Sequence, residues 1–279
     1  MHGNGDLRWG GERLAVDPFD SGHILFGSRS EGLFHSNDAG MSWERVGWVG
    51  AVTTTDGIGI LGILCDPSLQ GTIYANTYAE GICRSTDSGA TWRQLDGSPS
   101  GVLQMSIDSH GTLYTAGREA PKVAKRARDG EWEDVTPLKF RLDRSAPTST
   151  QMVLASFNFC GICVDPNDPE HLVLGIDYKM PGKLLRSRDG GASRGEVGKR
   201  LNKTVPWWQD NYWGGSMAAL VIDPHAPHRV WFTDWFGVWR TEDVDAGRPL
   251  WTAMGQGMEE IVATALVAPP AAPASSGYM

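Results

Sequence analysis

Long apolar runs are missing from this 279-residue chain, and so is any excess of positive charge. No stretch approaches the roughly 20 apolar residues that a membrane-spanning helix needs. Lys and Arg number 25 against 33 Asp and Glu, a net charge of −8. A chain of that sign is repelled by nucleic acid and by anionic lipid, so neither is an expected partner. The first six residues, Met-His-Gly-Asn-Gly-Asp, are polar and do not read as a signal peptide. Cysteine is scarce: Cys65, Cys83, Cys160 and Cys163. Cys160 and Cys163 form a C-x-x-C, yet no second pair completes a zinc set. On a strand, residues three apart face opposite sides, so core packing is preferred there over redox or metal chemistry. No metal or other cofactor is expected.

What the chain does have is one phrase used repeatedly. Ser36-Asn37-Asp38-Ala39-Gly40-Met41-Ser42-Trp43 and Ser85-Thr86-Asp87-Ser88-Gly89-Ala90-Thr91-Trp92 both read S-x-D-x-G-x-[ST]-W. Ser187-Arg188-Asp189-Gly190-Gly191-Ala192-Ser193-Arg194 keeps all but the Trp. This is the Asp-box, a turn between strands. Its Asp can accept N–H groups of its own loop, and its Gly allows a positive φ. Asp38, Asp87 and Asp189 are therefore read as structural, not catalytic.

A second mark precedes each box. Apolar runs end in Asp17-Pro18, Asp66-Pro67, Asp165-Pro166 and Asp223-Pro224, with a weaker copy at Asp108. The interval to the box Asp is 21 residues from Asp17 to Asp38 and 21 from Asp66 to Asp87. It is 21 from Asp108 to a degenerate box at Asp129, 24 from Asp165 to Asp189, and 20 from Asp223 to Asp243. Such a repeat, with several short strands per unit, predicts an all-β propeller of four-stranded blades. The units fall near residues 8–50, 58–97, 101–137, 151–200 and 216–255, with the start of a sixth at 261–267. Residues 268–279 are Pro, Ala and Ser and read as a tail or link. Strands in the first unit are expected at 13–16, 23–27, 32–35 and 43–47. Five full blades read as a small closed propeller or as an open piece of a larger one, because an open propeller leaves sheet edges unpaired.

Loops opposite the boxes vary most in length, and function usually sits on such loops. The long ones cover residues 48–60, 137–156 and 196–216. One of them holds Trp207, Trp208, Asp210, Tyr212 and Trp213, and a short loop of the same blade holds Asp234 and Trp235. Flat aromatic rings beside carboxylates and amides suit sugar rings; stapling of the long loop or plugging of the channel is the competing reading. The acids Glu31, Glu80, Asp177, Asp210 and Asp234 share this face, and none stands out as an acid–base pair.

Two flanking segments carry a resemblance. Gly11-Glu12-Arg13-Leu14-Ala15-Val16-Asp17-Pro18 and Gly257-Met258-Glu259-Glu260, with the boxes between them, resemble the xyloglucanase-type glycoside hydrolases of family 74. The resemblance implies paired seven-bladed propellers with these five blades part of one ring, a β-1,4-glucan or xyloglucan substrate, an extracellular setting and inverting hydrolysis by two Asp residues. Those Asp residues lie in T-D-x-G-G and G-D-x-G-G segments, and this chain contains neither. No catalytic residue is carried over. The family's tandem aromatic is reduced to Tyr178, which joins the expected sugar contacts. The expected partner is a xyloglucan-like polysaccharide, with a second propeller absent from this chain. A self-contained, non-catalytic propeller binding a glycan or a protein is the alternative.

Overall fold

The computed structural model describes residues 11–47, 59–77, 80–119, 121–137, 158–177, 182–203, 213–215, 217–234 and 237–256. Among them no helix forms. Among the described residues five sheets follow one another along the chain, each built on four antiparallel strands. The first contains β1 (Leu14–Asp17), β2 (Asp20–Gly27), β3 (Leu33–Ser36) and β4 (Glu44–Arg45). The second contains β5 (Ile60–Cys65), β6 (Ile73–Thr77), β7 (Gly81–Ser85) and β8 (Arg93–Gln94). The third contains β9 (Val102–Ile107), β10 (Leu113–Gly117), β11 (Val123–Arg126) and β12 (Trp132–Asp134). The fourth contains β13 (Asn158–Asp165), β14 (Asp168–Asp177), β15 (Lys183–Ser187) and β16 (Gly195–Glu196). The fifth contains β18 (Ala219–Asp223), β19 (Ala226–Asp234), β20 (Gly237–Thr241) and β21 (Leu250–Ala253). Each is a four-stranded meander, the shape of a propeller blade. The innermost strands pack in sequence order, β1 on β5, β5 on β9, β9 on β13 and β13 on β18.

Two details depart from the sequence expectation. The outermost strand of the first blade is two residues long, not five. Trp43 does not enter it, because its indole turns back and donates to Gly40 O at 3.1 Å. The fifth blade has an unforeseen fifth strand, β17 (Arg200–Asn202), which pairs parallel to β21. It carries the chain from the fourth blade across the outer edge of the fifth. The expected sixth unit and the tail lie outside the described residues.

The core is a series of wedges between blades. Leu25 and Leu33 meet Ile60, Ile73 and Cys83 between the first and second. Tyr74, Ile82 and Leu95 meet Val102, Ile107 and Leu113 between the second and third. Val123 and Val135 meet Ile162, Leu172 and Leu185 between the third and fourth. Cys163, Val173 and Leu184 meet Phe232, Trp239 and Trp251 between the fourth and fifth. Because strand residues alternate in direction, each blade offers an apolar set to each neighbour. The four cysteines are free. Cys160 and Cys163 are both buried in β13, and burial pushes the Cys163 thiol up, which suits packing rather than redox chemistry.

Candidate functional site

The three boxes are built alike. Ser42 donates its N–H to Asp38 Oδ1 at 2.8 Å and its hydroxyl to Asp38 Oδ2 at 2.5 Å. Ser36 Oγ donates to Asp38 Oδ1 at 2.7 Å and accepts from Gly40 N at 2.8 Å. Asp87 receives the same bonds from Thr91 and Ser85, and Asp189 from Ser193 and Ser187. Donation by the hydroxyl and N–H at the fourth position holds each carboxyl at about 2. Gly40, Gly89 and Gly191 take φ of 89°, 88° and 91°, where a side chain would be strained. In the third box Arg194 stands for the Trp, and its Nη1 donates to Val135 O of the previous blade at 2.6 Å. These groups are fully used in making turns.

The Asp residues that end the innermost strands do a second job that sequence inspection missed. In every blade Oδ1 accepts an N–H two residues on, Phe19, Ser68, His110, Asn167 or His225, each at 2.9 Å. The other oxygen looks toward a side chain. Asp17 Oδ2 meets His23 Nδ1 at 3.1 Å, and Asp223 Oδ2 meets Arg229 Nη1 at 3.1 Å. Asp165 Oδ2 lies 3.7 Å from His171 Nδ1. Asp66 Oδ2 takes Arg128 Nη2 from the next blade at 2.9 Å. Asp108 Oδ2 has Tyr114 Oη at 3.5 Å. A visible signal existed: His23, Tyr114, His171 and Arg229 each lie six residues past their Asp.

Near the fourth and fifth boxes, Asp245 receives Arg186 Nη1 at 3.2 Å, His228 Nδ1 at 2.8 Å and a close contact from Arg188. Oxygen and nitrogen atoms of His228, Asp243 and Asp245 come within 4.8 Å of one another. Two guanidinium groups already neutralise Asp245, so the cluster is an inter-blade clamp rather than a cation cage.

On the opposite face, the long-loop cluster is only partly described. Trp207, Trp208, Asp210, Tyr212, Trp235 and Tyr178 lie outside the described residues. Trp213 and Asp234 are described, and both are buried, at 2% and 1% exposure. Neither presents a surface to a ligand, which corrects the expectation of direct sugar contact for these two. Trp213 packs edge-on against Phe232 and Trp251, with ring centroids 5.2 and 5.6 Å away, and Lys199 Nζ sits 4.5 Å from its centroid. Asp234 Oδ2 accepts from Gly214 N and from Trp239 Nε1, each at 2.9 Å. Gly182 N donates to Trp213 O at 3.1 Å, and a Cβ at Gly182 would collide with Gly214 O. The base of the aromatic loop is thus nailed to two blades.

An inward cavity of about 250 Å³ lies among the innermost strands. Side chains tie neighbouring blades around it: Asn76 Nδ2 of β6 donates to Val102 O at 2.8 Å, Gln104 Oε1 accepts from Ile162 N at 2.9 Å, and Ser106 Oγ accepts from Val164 N at 3.0 Å. The Gly11–Glu12 backbone bridges the second and third blades, with Gly11 N donating to Leu103 O and Glu12 O accepting from Ile63 N, both at 2.7 Å. Gly11 is required there, since a Cβ would lie 2.8 Å from Leu61 O.

Four-stranded meanders in ring order, with Asp-box turns, define a β-propeller of the Asp-box class. Comparison with known proteins narrows the class. No protein-family model matches the chain. It is 29% identical over 335 aligned residues to the oligoxyloglucan-reducing end-specific xyloglucanase of Emericella nidulans, covering 93% of this chain and 41% of that protein. It is 32% identical over 226 residues to xyloglucanase Xgh74A of Acetivibrio thermocellus, covering 69% of this chain and 26% of that protein. Among solved structures, the GH74 enzyme of Niastella koreensis superimposes with a TM-score of 0.72 at 26% identity, over 90% of this chain and 39% of that one. The GH74 xyloglucanase of Xanthomonas campestris gives a TM-score of 0.73 at 24% identity, over 88% of this chain and 39% of that one, a likeness of fold. The chain is a homologue of the GH74 xyloglucanases, and it spans about two-fifths of the length of the first curated relatives it matches.

Proposed function

We propose that this chain forms one wall of a xyloglucan-binding cleft in an extracellular glycan-degrading protein, and supplies glycan contacts rather than the acid–base pair. The observation that carries this is the match, over 93% of the chain, to an oligoxyloglucan-reducing end-specific xyloglucanase. Trp207, Trp208, Tyr212, Trp235 and Tyr178 are the stacking surfaces, and Asp210 is the polar partner. Trp213 and Asp234 position that loop from below through the contacts to Trp251, Gly214 and Trp239. Hydrolysis needs two carboxylates flanking the bond. The two Asp motifs that the family resemblance calls for are absent from these 279 residues, so the acid–base pair is assigned to none of them.

Calorimetry with xyloglucan oligosaccharides tests this reading, with mannan fragments as the control. Binding of the former, weakened roughly tenfold or more by Trp207→Ala with Trp208→Ala, supports it. Equal affinity for both glycans, or no change in the double variant, defeats it. Release of reducing ends by this chain alone would contradict the division of labour between wall and catalytic pair.

A further inference from the structure

The five innermost-strand aspartates are equivalent by repeat, but one is answered differently. Asp17, Asp66, Asp165 and Asp223 each direct Oδ2 at a nitrogen side chain, two of them guanidinium groups. Asp108 is 1% exposed, and among the described residues the one side-chain hydrogen bond to its Oδ2 comes from the Tyr114 hydroxyl at 3.5 Å. A cavity of about 440 Å³ opens in front of it, between the third and fourth blades. Its small-residue walls, Ala127 and Gly130, come from the third blade's decayed box, and Gly190 and Glu170 close the other side. Glu131, Glu133 and Glu170 line the cavity with Asp108. The one lysine there, Lys125, is held by Glu133 at 3.5 Å on the rim. The Tyr114 hydroxyl is pushed up by burial first and by Asp108 second.

The second and third blades show what such a space accepts. There Arg128 Nη2 reaches both Asp66 Oδ2 and Ser68 Oγ, at 2.9 and 2.6 Å. The matching residue of the fourth blade, one before its box Asp, is Arg188. It faces the other way, to Asp245 and Asp168, and leaves Asp108 without its guanidinium. We propose that the cavity between the third and fourth blades binds a guanidinium group from outside this chain, with Asp108 Oδ2 as its deep acceptor and Glu170 as its rim acceptor. A planar, delocalised cation matches carboxylates placed at two depths better than a compact ammonium does.

The test is a titration of the full chain with arginine amide, read by backbone amide NMR, with lysine amide and sodium chloride as controls. Saturable shifts confined to the region of His110, Gly130 and Gly190 are expected, with weaker binding of lysine amide. Glu170→Gln lowers the affinity roughly fivefold. Tyr114→Phe keeps the ring in the core and removes the competing hydroxyl, so it raises the affinity. A Gly-Arg-Gly peptide that binds tighter than arginine amide assigns the site to an arginine of a polypeptide, and equal affinity assigns it to free guanidino compounds. Shifts that scatter over the surface as they do with sodium chloride, or an affinity unchanged in both variants, would overturn the proposal. None of these residues is among Gly182, Trp213, Gly214 and Asp234, the described residues at the base of the glycan loop, so loss of glycan binding and loss of this site are separable.

Discussion

The box carboxylates show how much a single residue organises. Asp38, Asp87 and Asp189 each take two bonds from one Ser or Thr and one from the Ser two places before. Their folded-state values lie at about 2, below the usual carboxylate range of about 3.9. The stabilisation from a depressed carboxyl is present above the unfolded value and is lost as pH falls through the folded one. Thermal melts across pH 2 to 5 should therefore show a steep loss of stability, and Asp87→Asn should flatten that loss. The thiols make a second residue-scale prediction. Burial raises Cys65 and Cys83 to about 12, so little thiolate exists at neutral pH. A thiol reagent at pH 7 should label the native chain slowly and the four cysteines promptly once denaturant unfolds it.

At the scale of elements, adjacent blades are held by apolar wedges and by a few charged clamps placed at the same level. Arg128 joins the third blade to Asp66 of the second, whose side chain is fully buried. Arg128→Ala leaves that carboxylate buried without its partner, so a loss of about 3 kcal/mol in denaturant unfolding is expected. The exposed pair of Lys183 with Glu196 bridges two strands of one blade, and Lys183→Ala should cost about 1 kcal/mol or less. The contrast separates clamping of blades from decoration of a surface. Strand lengths also belong to this scale. Turn chemistry in the boxes was legible because it depends on residues within eight positions. The short outer strands and the added β17 were not, because an edge strand's length depends on what lies beside it.

For the whole molecule, Trp213 and the fifth blade pack as one unit. Trp251 is fully buried, with ring centroids 5.6 Å from Trp213 and 5.1 Å from Phe232. Trp251→Ala should cost about 3–5 kcal/mol in unfolding free energy. On the proposed function it should also weaken glycan binding, since Trp213 loses its ring partner. Gly182→Ala should act on the same loop through collision with the Gly214 carbonyl, with a smaller effect on stability measured by calorimetric melting.

The repeat by itself determined that this is a propeller. Box and Asp-Pro spacings are local quantities, and turns obey local rules of hydrogen bonding and φ. It also marked the box aspartates as turn-forming, because each carboxylate is bonded by residues of its own turn. Only the tertiary structure decided the burial of the two described members of the cluster. Trp213 and Asp234 read as loop residues in one dimension, yet both are buried where the fourth and fifth blades meet. Only the tertiary structure, too, showed that, among the described residues, Asp108 Oδ2 meets a tyrosine hydroxyl where its four equivalents meet a side-chain nitrogen. That fact depends on Arg188 pointing toward Asp245 rather than backward, and the direction is set by charges brought together from two blades, about 57 residues apart in the chain.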